Sequence, residues 1–458
     1  MFSCKKLLEV KNVRNLSKKI SILFMITLLF IASFAIKPIE GQAATSLEVS
    51  AESAIVVDAK TGKILYQKNA DQLLPPASMT KMMTEYLVLE AINNGDISWE
   101  TTTQISDYPF SISADPTFSG IGLIQDQNYT VRQLYEGMSI ISDNATTIAL
   151  TELIAGSESE FVKMMNAKAE EMGLPEYQFV NSTGLSNADL GANYPEGTEP
   201  DADNLLSARS AALLAYHLIN DYPEALDFSS MISSELDGRP LENLNWMLPW
   251  EDNNFTQFGY EGVDGLKTGY TTEAGYCFTG TAQQGDRRVI TVVMKTDSKG
   301  ERFLETKKLM EYGFSQFSQT ELFPAGYQLD GESTLSVAKG KEEEVDLETA
   351  ESVTAMVKNG EEELYHIEYQ IDESLLNEEG ELTAPIEKGD KIGEAVLSYS
   401  GEEEIAYLNG IGAQQKVDLV ASETVEKANW FMLTMGAIGD FFGNLFGSIA
   451  DFVKGLFD

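Results

Sequence analysis

Apolar positions change their spacing several times along the chain, and each change marks a different kind of segment. A nearly unbroken apolar run from Ile20 to Ile36 follows a stretch carrying Lys5, Lys6, Lys11, Arg14, Lys18 and Lys19, and the small residues Gly41, Ala43 and Ala44 come next. A basic start, a short apolar middle and a small-residue end are the layout of a secretory signal peptide. It is expected over residues 1–43, with cleavage after Ala43 or Ala44; an uncleaved anchor helix is the alternative. From 45 to 318 strand-like and helix-like spacings alternate. Ala54–Asp58 and Ile64–Tyr66 read as strands around a Lys60-Thr61-Gly62 turn. Pro75-Pro76-Ala77 opens a helix running through Ser78 to about Ile92, with Met82, Met83, Tyr86, Leu87 and Leu89 apolar. Helical stretches continue to about residue 222. Tyr276–Ala282 and Val289–Met294 then read as adjacent strands, and a last helix spans about Glu301 to Tyr312. Strands at both ends with helices between predict a mixed α/β domain whose sheet is built from the two termini of the segment.

The pattern shifts again at about Leu322. Up to Val420, acidic clusters (Glu342–Glu344, Glu361–Glu363, Glu402–Glu404) separate short alternating segments such as Ala355–Val357 and Ala395–Tyr399. This predicts a small all-β domain over 322–420 with a solvated acidic surface. In the tail, residues 428–458, Asp440, Asn444, Ser448 and Asp451 recur at helical spacing while Phe441, Phe442, Leu445, Phe446, Ile449, Phe452, Val453, Leu456 and Phe457 cover the rest. The polar stripe argues against a spanning helix and for an amphipathic helix lying in a membrane interface. A helix docked on its own domain is the alternative. Lys454 is the only basic residue after Lys427, so binding would be mainly hydrophobic.

Composition narrows the chemistry. The formal net charge is −40, and seven of the 32 basic residues lie within the first 43 positions. So negative a field disfavours nucleic acid and anionic lipid as partners. Cys4 would leave with the signal, which strands Cys277 without a disulfide partner. Having only two histidines, His217 and His366, argues against a His-based triad or a multi-histidine metal site, and no metal or cofactor is expected. A serine hydrolase on this chain would need another base, and lysine is the candidate.

Three short strings supply it: Ser78-Met79-Thr80-Lys81, Ser142-Asp143-Asn144 and Lys267-Thr268-Gly269. Each is weak alone. Ser3–Lys6 and Ser336–Lys339 also read Ser-x-x-Lys, but one lies in the signal segment and the other in the β-domain, where positions three apart face opposite ways. Only Ser78 and Lys81 fall on a predicted helix, where three residues bring both side chains to one face near the positive end of the helix dipole. Lys60-Thr61-Gly62 repeats the third string but reads as a turn, whereas Lys267-Thr268-Gly269 leads into a strand. The set in this order is the signature of penicillin-binding proteins and class A β-lactamases.

Beyond the triplet, the chain resembles low-molecular-mass penicillin-binding proteins of the serine-type D-alanyl-D-alanine carboxypeptidase family over nearly its whole length. The resemblance runs through Asp58–Gly62, Pro76–Lys81, Ser142–Asn144, Gly262–Tyr270, Ala274–Tyr276, Arg302-Phe303 and Tyr312–Phe314. It implies the penicillin-binding/β-lactamase-like transpeptidase fold, an α/β fold with an antiparallel sheet and a helical subdomain, followed by the small all-β domain and the amphipathic helix. It implies an acyl-enzyme on Ser78, Lys81 as base, Ser142 relaying a proton to the leaving amine, and Asn144 holding the substrate amide and the lysine. Lys267 would be the cationic neighbour, Thr268 and Arg302 would bind the terminal carboxylate along Gly269, and the Ser78 and Tyr270 N–H groups would form the oxyanion hole. The implied partners are a peptidoglycan stem peptide ending in D-Ala-D-Ala, β-lactam inhibitors, and the membrane surface at the extracytoplasmic face of the cell. A class A-like β-lactamase and a non-catalytic cell-wall-binding protein are the rival readings. Taken alone, Thr268 reads equally as a strand residue, Asn144 as a helix cap and Arg302 as a solvated surface charge. The chain departs from the family at Ser182, where a proline is usual, at Ser210, where an aspartate is common, and in the acidic stretch Asn187–Asp203.

Overall fold

The computed structural model describes residues 47–251, 254–402, 405–408 and 415–429. The expected signal segment and the tail beyond Asn429 lie outside these residues.

Five strands form the central sheet: β1 (Ser53–Asp58), β2 (Ile64–Lys68), β3 (Val263–Thr271), β4 (Gly275–Gln284) and β5 (Arg287–Thr296). Their spatial order is β2-β1-β5-β4-β3, all antiparallel, so the first strand of the segment pairs with the last. The β1–β2 turn is the Lys60-Thr61-Gly62 string. Gly62 has φ +71, and the Asp58 carboxylate accepts from the Thr61 N–H at 2.9 Å and its hydroxyl at 2.6 Å. All of β1, and the middles of β4 and β5, are buried at successive positions. Alternate residues face opposite ways, so continuous burial means that both faces of the sheet are covered.

The helical region comprises α1 (Lys81–Asn93), α2 (Asp107–Ser113), α3 (Val131–Ile141), α4 (Asn144–Ala155), α5 (Glu158–Glu171), α6 (Ala208–Asp221) and α7 (Ala225–Ser229), and α8 (Lys299–Gln316) follows β5. α6 and α8 both pack on β1 and β5. α1 is buried on every side from Lys81 to Leu89, which explains why its apolar residues show no single stripe: it is the core helix, met by α3, α4, α5 and α6.

Beyond α8 the described residues form strands joined by turns: β6 (Phe317–Phe323), β7 (Thr334–Ala338), β8 (Glu344–Thr349), β9 (Val353–Lys358), β10 (Tyr365–Ile371), β11 (Leu382–Thr383), β12 (Lys391–Tyr399) and β13 (Lys416–Ala421). β6 pairs with β9, and the others form a six-stranded sheet in the order β10-β12-β13-β8-β7-β11. This region starts at Phe317, directly off α8. It closes with Val425 against Ile386 and with the Ala428 N–H donating to the Lys339 carbonyl at 2.9 Å. Buried Lys63, just before β2, ties it to the central sheet by donating to the Met356 carbonyl at 2.7 Å and the Tyr365 hydroxyl at 2.9 Å. No helix among the described residues is long and apolar enough to cross a membrane.

Candidate active site

Ser78 does not sit in the α-helix itself. Ala77–Thr80 form one 3-10 turn that runs directly into α1 at Lys81. A 3-10 turn repeats every three residues, so positions three apart eclipse and the Ser78 and Lys81 side chains stack. Two glycines let neighbouring backbones press onto this turn. A methyl on Gly269 would lie 2.4 Å from the Pro76 carbonyl oxygen, and one on Gly184 would lie still closer to Ala77. Strand β3 and the loop 181–185 thus close on the nucleophile from two sides.

Lys81 is fully buried, and its Nζ has three oxygen neighbours: Ser78 Oγ at 3.1 Å, Asn144 Oδ1 at 2.7 Å and the Thr183 carbonyl at 2.8 Å. The two nearer oxygens can only accept. A neutral amine has two N–H bonds and one lone pair, so Asn144 and Thr183 take both hydrogens and leave the lone pair facing Ser78. Burial, and then the Lys267 cation, hold the Lys81 pKa well below the ordinary lysine value, against the pull of Asp143, Glu85 and Glu158. The neutral form that geometry suits to proton abstraction is also the form the surroundings favour.

Ser142-Asp143-Asn144 is a junction between two helices. Ser142 ends α3 in the left-handed conformation, φ +61. Asp143 caps α4, accepting from the Ala145 and Thr146 N–H groups at 2.8 and 3.0 Å, and from the Ile121 N–H at 3.0 Å. The cap is therefore Asp143, and Asn144 is free as the first helical residue to reach Lys81. The Ser142 hydroxyl is buried without a hydrogen-bond partner.

On β3, Lys267 and Thr268 are buried, and Lys267 Nζ donates to the Thr268 carbonyl at 3.2 Å. Burial lowers the Lys267 pKa to about 8, with Glu85 opposing. Tyr270 is 53% exposed and stacks on Tyr276 with ring centroids 4.4 Å apart. Arg302 is only 3% exposed, which rules out a solvated surface charge. It donates to the Gly269 carbonyl at 3.0 Å and the Cys277 carbonyl at 3.3 Å, bracing the strand that faces the nucleophile.

The structure adds groups that the motifs do not name. The Thr183 carbonyl belongs to a loop organised by Asn181, whose Oδ1 accepts from the Thr183 N–H and hydroxyl, the Gly184 N–H and Asn204. Asn181 and Gly184, two turn-forming types close together, were the available signal. Three carboxylates, Glu85, Asp143 and Glu158, are buried around Lys81. Burial raises all three pKa values, that of Glu85 to about 7. No group of residues suited to a metal occurs among the described residues.

A family model described as D-alanyl-D-alanine carboxypeptidase matches residues 40–298, and one described as the C-terminal domain of penicillin-binding protein 5 matches residues 317–427. The D-alanyl-D-alanine carboxypeptidase DacF of Bacillus subtilis is 32% identical over 420 residues, spanning 92% of this chain and 97% of its own. Among solved structures, a peptidoglycan synthesis regulatory factor (PBP3) from Streptococcus pneumoniae aligns with a TM-score of 0.64 at 35% identity, covering 83% of this chain and all of its own. Penicillin-binding protein D2 from Listeria monocytogenes, in its ampicillin-bound form, aligns with a TM-score of 0.50 at 34% identity, covering 58% of this chain and 99% of its own.

Proposed function

The chain belongs to the D-alanyl-D-alanine carboxypeptidase family, and from that premise we propose that it removes the terminal D-alanine from peptidoglycan stem peptides through an acyl-enzyme on Ser78. Ser78 Oγ gives its proton to the Lys81 lone pair and attacks the carbonyl carbon between the two D-alanines. The Ser78 and Tyr270 N–H groups take the developing oxyanion, an interaction worth about 3 kcal/mol per donor in comparable sites. The C–N bond breaks, and the leaving amine takes a proton by way of the Ser142 hydroxyl, which has no competing partner. Water then cleaves the ester, with Lys81 again as base. Lys267, Thr268 and Arg302 receive the substrate's terminal carboxylate. A β-lactam enters the same cycle and stops at the acyl-enzyme.

The observation that carries this reading is the buried Lys81 amine, 3.1 Å from Ser78 Oγ with two acceptors fixing its hydrogens. A lactamase would need a carboxylate that activates deacylating water. Asp143 and Glu158 have donors on both oxygens, an arrangement for holding structure rather than water. The test is incubation with fluorescent penicillin and with a D-Ala-D-Ala peptide. Stable labelling with D-alanine release, both lost in Ser78→Ala and Lys81→Met, is the expected result; rapid penicillin turnover, or labelling that survives Lys81→Met, overturns it. The same reading has the protein act at the extracytoplasmic face of the cell membrane, exported by residues 1–43 and held by an amphipathic segment within 428–458.

A further inference from the structure

We infer that Glu158 is a positioning residue for acylation: from the start of α5 its carboxylate clamps Ser182, and through the next peptide it aims the Lys81 amine at Ser78. This rests on Lys81 acting as the base.

The contacts form a short chain. Glu158 Oε1 accepts from the Ser182 N–H at 2.8 Å and from its hydroxyl at 2.5 Å, and Oε2 accepts from the Tyr108 hydroxyl at 2.8 Å. The Ser182 carbonyl accepts from Thr84 Oγ1 of α1 at 2.9 Å. The following residue, Thr183, presents the carbonyl that takes one Lys81 hydrogen at 2.8 Å. Ser182, Thr183 and Glu158 are all buried. Both Ser182 donors to Glu158 depend on this chain's own residue, because a proline there has neither an N–H nor a hydroxyl.

The consequence follows from the count of hydrogens on a neutral amine. Should the Thr183 carbonyl swing away, one Lys81 N–H loses its acceptor and turns toward Ser78 Oγ, and the lone pair points elsewhere. Proton abstraction then needs a rotation before each turnover. Glu158 also acts through its charge. Lys81 is faced by Lys267 from β3, Asp143 from the α3–α4 junction, Glu85 from its own helix and Glu158 from α5, and the Glu158 anion favours the ammonium. Besides Lys81, Tyr108 from α2 and Glu152 from α4 are titratable groups that face Glu158 itself.

The experiment measures the penicillin acylation rate against pH in the full-length protein and its variants, with thermal melting as a control of fold. Glu158→Gln keeps an acceptor for the Ser182 N–H and removes the charge. Its acid limb is expected to move to lower pH by about half a unit or more, because the ammonium loses a stabilising neighbour. Ser182→Ala keeps the charge and loses one clamp bond. Its plateau rate is expected to fall about three- to tenfold with the acid limb in place, an effect of misplaced rather than missing machinery. A Glu158→Gln profile that superimposes on wild type, or a wild-type plateau in Ser182→Ala, overturns the inference. Should Glu158→Gln fail to fold, the Ser182→Ala plateau decides. Lys81→Met is the separate arm: labelling that survives there defeats the base assignment instead.

Discussion

A methyl group on Gly184 would stand 1.9 Å from the carbonyl oxygen of Ala77, the residue before the nucleophile. Gly184 also has φ +83, a conformation that costs other residues roughly 1–2 kcal/mol. Gly184→Ala therefore combines backbone strain with a collision that only moving the Ser78 turn relieves. Denaturant unfolding is expected to show a loss of about 3 kcal/mol or more, with penicillin labelling strongly reduced. Gly156 has φ +78 and open space around it, so Gly156→Ala gives the strain alone, about 1 kcal/mol, with labelling intact.

Acylation is expected to follow a bell-shaped pH profile. Lys81 has to be neutral and its pKa is depressed, so activity appears as pH rises through that lowered value, below the range of free lysine. Lys267 has to stay charged to hold a carboxylate, and with its pKa at about 8 activity declines above that point. Lys267→Gln removes a cation that disfavours the Lys81 ammonium, so its acid limb moves to higher pH, opposite to Glu158→Gln. Stopped-flow labelling from pH 5 to about 10 checks both signs.

Arg302 holds the backbone of β3, and in the proposed reaction it also receives the substrate carboxylate. Arg302→Ala leaves the Gly269 and Cys277 carbonyls without this donor, so a lower melting temperature and a KM for the D-Ala-D-Ala peptide raised about tenfold are expected. Arg302→Lys restores most of the melting temperature and only part of the KM. An unchanged KM in Arg302→Ala would leave Arg302 as a brace alone.

Cys277 is buried, and burial pushes its thiol up to about 11. The thiolate is the reactive form, so iodoacetamide at neutral pH is expected to leave the Cys277 peptide unmodified in native protein and to alkylate it in denaturant, as read by mass spectrometry.

The Ala428 backbone belongs to the β-domain through its bond to Lys339. A truncation that tests the anchor therefore ends at Asn429. It is expected to release the protein from vesicles and membranes while D-alanine release continues; unchanged membrane association counts against the anchor.

The sequence made the sheet and the motif contexts legible because both depend on local signals. Buried strands read as apolar runs, Ser-Asp-Asn falls among the expected helical stretches, and Lys-Thr-Gly, expected to lead into a strand, lies inside β3. The hairpin Ser233–Leu236 with Arg239–Glu242 lies beyond the expected helical stretches, in a segment the apolar spacing leaves unassigned, although Asp237-Gly238 supplies the two positive φ values its turn requires. Other features had no local signal. Glu158 looks like any acidic residue in the first turn of a helix, and only the approach of Ser182 and Tyr108 makes it buried. Arg302 follows Ser298-Lys-Gly300 as a surface charge might, and its burial depends on how α8 lies against β3 and β4. The Thr183 carbonyl is backbone: Asn181 and Gly184 mark the turn that carries it, but no residue type announces that it meets Lys81.

The pairing of the first strand with the last also orders events in time. Met79, beside the nucleophile, accepts a hydrogen bond from Thr279, 200 positions downstream, and the strand pressing on the Ser78 turn lies nearly as far away. A chain growing from its N-terminus displays Ser78 and Lys81 long before it owns the wall that completes them. Nascent fragments ending before that wall are therefore inert toward drug and peptide alike, and the hydrolase switches on only when its last sheet strands have arrived.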